Sequence, residues 1–144
     1  MDCARQLGEL LVAEGWIVLS GGRNAGVMKA VSEGVKKRNG LSIGILPNAS
    51  SEVSPDVDVA IITDLNNARN NLIGLSSNVL IACGIDGPGT ASEVALALKN
   101  GKTVILLGVD AMAQAFFSGL GGENVLVVDS PQRAVQIIKE YNLC

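Results

Sequence analysis

Val79-Leu80-Ile81-Ala82-Cys83-Gly84-Ile85-Asp86-Gly87-Pro88-Gly89-Thr90-Ala91-Ser92-Glu93-Val94 is the stretch on which the fold turns. Its first four residues form an unbroken apolar run, the pattern of a strand covered on both faces. The glycines and proline after it interrupt any regular element. Beyond them Ala91, Val94, Ala95 and Leu98 recur at the spacing of one helix face. Thr90-Ala91-Ser92-Glu93 also matches a capping box, in which Thr90 would accept from the third helical amide and Glu93 would reach back. Strand, Gly-rich turn, helix is the reading.

The same alternation extends outward in both directions. Apolar runs recur at Ile17–Leu19, Ile43–Leu46, Val57–Ile62, Thr103–Leu107 and Val125–Val128. Helical faces are carried by Leu7, Leu10 and Leu11 within Ala4–Ala13, by Val27, Ala30, Val31, Gly34 and Val35, and by Ala134, Ile137, Ile138 and Tyr141. The last of these opens with Asp129-Ser130-Pro131, a capping residue ahead of a first-turn proline. This rhythm predicts an α/β fold: a doubly wound, mostly parallel, Rossmann-like sheet with helices on both faces. Pro47–Asp58 is polar, holds two prolines and reads as a surface loop. The length of 144 residues suits one domain over 1–144.

Composition removes several function classes. Hydrophobic residues are 48% and charged residues 17%, too apolar a mixture for disorder. With no histidine, neither a Ser-His-Asp triad nor a His-ligated metal site can be built within this chain. A formal net charge of -3, a pI near 4.8 and four scattered aromatics argue against a nucleic-acid surface. Cys3, Cys83 and Cys144 fit neither a disulfide framework nor a CxxC metal site, so no metal is expected. Cys83 reads as a small buried hydrophobe, and Phe116 and Phe117 as core or as a cover over a neighbouring subunit. The apolar runs are too short to cross a bilayer and no signal peptide is read, so a cytoplasmic chain without membrane attachment is expected.

Two loops have the composition of ligand sites, which in such sheets lie beyond the carboxyl ends of strands. Ser20-Gly21-Gly22-Arg23-Asn24-Ala25-Gly26 follows one strand and opens a helix. Its glycines and the free amides of the helix start suit an anion, and Arg23 adds a charge. A tight turn with a solvated Arg23 explains the same residues equally well. In the second loop, Thr90 and nearby amides could grip phosphate with Glu93 facing a sugar or base; the capping box is the competing reading. Arg69, at a helix start, is either an ordinary surface arginine or a cation awaiting an anionic partner.

In combination, Ser20-Gly21-Gly22-Arg23 through Gly26-Val27-Met28, Gly44-Ile45-Leu46-Pro47, Ala68-Arg69-Asn70 and Gly87-Pro88-Gly89-Thr90-Ala91-Ser92-Glu93 resemble the LOG-type Rossmann superfamily. That superfamily includes "lysine decarboxylase-like" proteins, cytokinin-activating phosphoribohydrolases and molybdenum cofactor carrier proteins. The first loop is most similar to the carrier branch. The resemblance implies binding of a phosphorylated, nucleotide-like small molecule, such as molybdenum cofactor or a nucleotide, in a homodimer or larger homo-oligomer. It assigns Gly21, Gly22, Arg23, Asn24, Gly26, Gly87, Gly89 and Thr90 to ligand binding. For the alternative, a nucleoside 5′-monophosphate phosphoribohydrolase, it assigns Arg69 and Glu93 to catalysis, with Glu93 stabilising charge on ribose. A third reading is a scaffold without ligand.

Two departures stand out. The hydrolases have Pro-Gly-Gly where this chain has Ile85-Asp86-Gly87, and a carboxylate there would repel a phosphate. The family also opens with a strand ahead of its first helix, whereas Met1 here lies next to the helix of Leu7. The resemblance therefore implies either a start lying upstream or a sheet lacking that first strand, with Ile17–Ser20 pairing directly with Val79–Ala82 or another chain filling the gap.

Overall fold

A computed structural model describes residues 1–144. The chain has the doubly wound, parallel α/β architecture, and resolves into two compact units, Met1–Arg69 and Asn70–Cys144. Each carries a three-stranded, all-parallel sheet.

The first unit runs α1 (Asp2–Ala13), β1 (Val18–Ser20), α2 (Gly26–Lys37), β2 (Ser42–Leu46) and β3 (Val59–Ile62). Its strand order is β1-β2-β3, with Leu19 opposite Ile43 and Ile45 opposite Ile61. α1 and α2 pack through glycines: a side chain on Gly8 would strike the Val31 carbonyl, and one on Gly34 the Arg5 carbonyl. Ala4, Val18, Ala30, Val31 and Val35 close the core beneath them. Arg5–Glu33 at 2.8 Å and Glu9–Lys37 at 2.8 Å tie the helices at the rim.

The stretch between β2 and β3 is a loop, as its prolines and polarity foretell. Asp58 anchors its far end: its Oδ2 accepts from the Ser42 amide (2.9 Å) and hydroxyl (3.1 Å), and its Oδ1 pairs with Lys36 Nζ at 3.0 Å. The Ser42 amide, then Lys36, hold that carboxyl below the usual aspartate range. One expectation fails in this unit. Val59, Ile61 and Ile62 are all solvent-exposed, so the Val57–Ile62 run is an apolar edge strand and not a strand covered on both faces.

After a single 3₁₀ turn over Asn66–Ala68, α3 (Arg69–Ser76) leads into the second unit. There follow β4 (Val79–Cys83), α4 (Pro88–Lys99), β5 (Thr103–Leu107), α5 (Ala111–Gly121), β6 (Val125–Val128) and α6 (Pro131–Glu140). The order is β4-β5-β6. Central β5 has Val104, Ile105 and Leu106 wholly buried, as a parallel strand between two helical layers requires. Val104 and Leu106 pack with Val94 and Ala97 of α4 and Phe117 of α5.

β1 pairs with β2 alone and β4 with β5 alone, so the direct pairing of Ile17–Ser20 with Val79–Ala82 is not among the ladders. The first element is the helix α1. Phe117 is core, whereas Phe116 is exposed, so the core reading holds for Phe117 alone. Cys83 is only partly buried; the fully enclosed small residue at that strand end is Ala82. No helix is long and apolar enough to cross a membrane.

Candidate functional site

The loop from β1 to α2 is dense. Gly21 and Gly22 are buried, and Gly22 adopts a left-handed φ of 68°. A Cβ on Gly22 would lie 2.6 Å from Gly44 Cα in β2, so glycine is required on both sides of that approach. The Gly22 amide donates to Ser20 Oγ (3.1 Å), and its carbonyl accepts from the Ser54 amide (2.9 Å). Arg23 and Val53 form an antiparallel bridge; the Asn24 amide donates to the Glu52 carbonyl (3.0 Å) and its Nδ2 to Glu52 Oε1 (2.7 Å). The Pro47–Asp58 loop is therefore the outer wall of the glycine loop.

Arg69 is not an ordinary surface arginine. It is 9% exposed, with Nε and Nη1 buried, and its guanidinium lies against Gly21 beside Met28. Any side chain on Gly21 would displace Arg69 Nη1 or the Met28 sulfur. Gly21, Gly22 and Arg69 thus come together in the first unit, while Arg23 stays exposed at the loop's outer edge.

The loop from β4 to α4 is open. Gly84 turns the chain at φ 74°, and its amide donates to the Leu107 carbonyl (2.9 Å). Gly87 and Gly89 are exposed, and a Cβ on either would meet nothing. The capping box of Thr90 and Glu93 is not formed. α4 starts earlier, with Gly87 at the N-cap and Pro88 at the first helical position, so Thr90 sits within the first turn and caps nothing. Proline's preference for that position outcompetes the Thr-x-x-Glu pattern. Thr90 and Glu93 are half-buried.

Residues that the sequence reading passed over complete this turn. Asn70, 6% exposed, donates from Nδ2 to Ser92 Oγ (2.8 Å), and Ser92 Oγ donates to the Gly89 carbonyl (2.7 Å). The repeated Asn of Asn70-Asn71 after Arg69 was the available signal.

The two Gly-rich loops share one electronic property. α2 and α4 begin at Ala25 and Gly87 without a side-chain cap, whereas α5 and α6 are capped by Asp110 and Ser130. First-turn amides left without a capping oxygen, at the positive end of a helix dipole, favour an anion.

Two clefts accompany these elements. In the first unit, a polar cleft of about 490 Å³ sits beside the glycine loop, lined by Arg23, Asn48, Ser50, Glu52, Asn66 and Asn67 among others. In the second, a cleft of about 780 Å³ lies at the carboxyl ends of β5 and β6, lined by Gly108, Gln114, Ser130 and Arg133. Asp129 lines it as well; of its other polar groups, Arg133 pairs with Glu140 at 3.1 Å, and Ser130 Oγ accepts from the Arg133 amide.

The SLOG cluster4 family model matches residues 1–135. The structure of the molybdenum cofactor binding protein from Rippkaea orientalis is 54% identical with a TM-score of 0.92, over 97% of this chain and 86% of that one. That of the molybdenum cofactor carrier protein from Chlamydomonas reinhardtii is 45% identical with a TM-score of 0.91, over 99% of this chain and 88% of that one. An uncharacterized protein of Archaeoglobus fulgidus is 37% identical over 132 residues, 92% of this chain and 80% of its own length. On these matches the chain belongs to the SLOG cluster4 family.

Proposed function

We propose that this chain binds and carries a phosphorylated, nucleotide-like small molecule of the molybdenum cofactor kind in the cytoplasm. The observation that carries the reading is the pairing of Gly-rich strand ends with helices that lack side-chain caps. Similarity to the Rippkaea orientalis and Chlamydomonas reinhardtii proteins supports the choice of ligand. Gly89 supports it further. The fold has room for a side chain there, and alanine would favour the helix by up to about 1 kcal/mol. A glycine that folding does not require suits close approach of a ligand to the backbone.

In this reading Gly21, Gly22, Arg23, Asn24 and Gly26 form one phosphate-gripping element, and Gly87, Gly89 and Thr90 another. Arg69, buried against Gly21, supplies positive potential to the first. The chain acts as a homo-oligomer, for which the exposed Met112, Phe116 and Leu120 on one face of α5 offer apolar surface.

Thermal-shift titration with molybdenum cofactor, neopterin monophosphate, AMP and inorganic phosphate tests the proposal. At about 100 times the dissociation constant, a bound ligand adds about 2.7 kcal/mol, several degrees of melting temperature for a chain of this size. Stabilisation by a phosphorylated heterocycle is expected; none from any of the four contradicts it.

Arg69's burial also favours a second reading, in which Arg69 and Glu93 serve N-glycosidic hydrolysis of a nucleoside 5′-monophosphate. Incubation with AMP would then release free base, and Glu93→Ala would abolish the release. Asp86, exposed ahead of α4, opposes this reading by repelling the substrate phosphate.

A further inference from the structure

The outer edge of the first sheet is unlike every other apolar strand of the chain. β3 is the last strand in the order β1-β2-β3, and none of its residues is covered: Val59 is 43% exposed, Ile61 46% and Ile62 56%. β6, the outer strand of the second sheet, is as short and as apolar, yet it buries Val125 and Val128. The Asp58 amide donates to the Ser42 carbonyl of β2 (3.1 Å). Alternation along the strand then turns the N–H and C=O groups of Val59 and Ile61 to the open side. Edge strands are ordinarily blunted by lysine, proline, a bulge or a covering element. Val59-Ala60-Ile61-Ile62 has none of these.

Charge decides what such an edge can accept. Asp56 and Asp58 precede the strand and Asp64 follows it. Lys36 engages Asp58, whereas Asp56 and Asp64 make no ion pair within the chain. Two copies of β3 joined edge to edge about a two-fold axis must run antiparallel, with the outward-facing Val59 and Ile61 meeting one another. Val59 opposite Ile61 sets Asp56 of one copy against Asp64 of the other, at both ends. Ile61 opposite Ile61 does the same with Asp58 and Asp64. Val59 opposite Val59 leaves only that residue of each strand paired. Like charges directly opposite are destabilising, so every extended register disfavours a second copy. The proposed homo-oligomer draws instead on α5.

We infer that the open edge of β3 is a docking site for an extended apolar segment of a partner protein, flanked at both ends by lysine or arginine. The segment adds as a further strand, its main chain bonding to the N–H and C=O groups of Val59 and Ile61. Its basic flanks meet Asp56 and Asp64, which fixes the register and excludes acidic segments. This surface lies apart from both Gly-rich loops, and the inference stands whatever ligand the chain carries.

Titration of the whole ¹⁵N-labelled chain with the peptide acetyl-Lys-Lys-Val-Thr-Val-Ile-Val-Lys-Lys-amide tests it. The amides of Val59 and Ile61 are expected to shift and saturate. The same peptide with glutamate in place of lysine should bind at least about tenfold more weakly at low ionic strength. Ile61→Pro removes an outward N–H without costing a bond to β2, and should abolish peptide binding with the urea midpoint unchanged. Asp64→Asn, at a left-handed φ of 56° that asparagine tolerates, should weaken the lysine peptide about two- to fivefold. No saturable shift at Val59 and Ile61, or equal binding of the two peptides, overturns the inference. Self-association of the free chain that Ile61→Pro abolishes would overturn it as well, since a second copy would then cover the edge.

Discussion

The loop before α2 and the loop before α4 have similar compositions and opposite mechanical roles. In the first, glycine is demanded by the fold: Gly22 meets Gly44 backbone to backbone, Gly21 makes room for Arg69, and a bridge to Val53 closes the outside. In the second, Gly87 and Gly89 face open space and no side chain caps the helix they precede. Glycine content alone therefore does not identify a ligand site. The stronger sign is a glycine without a packing contact next to amides without a capping oxygen, as at Gly26 in α2 and Gly89 in α4.

Substitutions can break this contrast. The largest effect is expected at Gly22→Ala, which adds a Cβ 2.6 Å from Gly44 Cα at a left-handed φ. Close packing and backbone strain together should cost about 3 kcal/mol or more, read as a lowered midpoint in urea unfolding. An unchanged midpoint would mean that the first loop is as permissive as the second. Gly89→Ala should behave in the opposite way. Stability should hold or rise by up to about 1 kcal/mol, while affinity for a phosphorylated ligand falls about tenfold. Loss of stability with affinity intact would reverse the assignment of roles.

Acid should weaken the first unit through the wall of its loop. Native Asp58 is held below the usual aspartate range by the Ser42 amide and then Lys36, whereas in the unfolded chain it takes up a proton near pH 3.9. Its contribution is present above the unfolded value and is lost as pH falls through the native one. Asp58→Asn should therefore flatten the acid limb of a stability-against-pH profile below about pH 5. An acid limb as steep as in the wild type would place that sensitivity elsewhere. The smallest change is expected at Asp86→Gly, which removes a carboxylate from the open loop and should tighten phosphate-ligand binding two- to fivefold. Weaker binding would show that Asp86 contacts the ligand favourably.

Much of this was legible from residue order. Alternating runs and helical faces located the six strands to within two residues, and Ser130-Pro131 started α6 where expected. α5 escaped notice because its apolar residues lie on all sides. Its signal was Asp110, whose Oδ1 accepts from the amides of Met112 and Ala113. The capping box misled because a pattern of two side chains competes with proline for the helix start, and Pro88 prevailed. Burial of Arg69 was illegible, since it depends on Gly21 being brought across from β1. The polar cleft was illegible for the same reason: Arg23, Glu52 and Asn66 are far apart in sequence and meet only when β2 and β3 pair.

The most direct measurement is a titration of ¹⁵N-labelled protein with neopterin monophosphate, following backbone amide shifts. The account predicts that the first-turn amides of α2, at Val27 and Met28, and of α4, at Gly89 and Thr90, move together and saturate. The capped first turns of α5 and α6 should stay in place. Shifts concentrated at α5 and α6, or no saturable shift at α2 and α4, would contradict it.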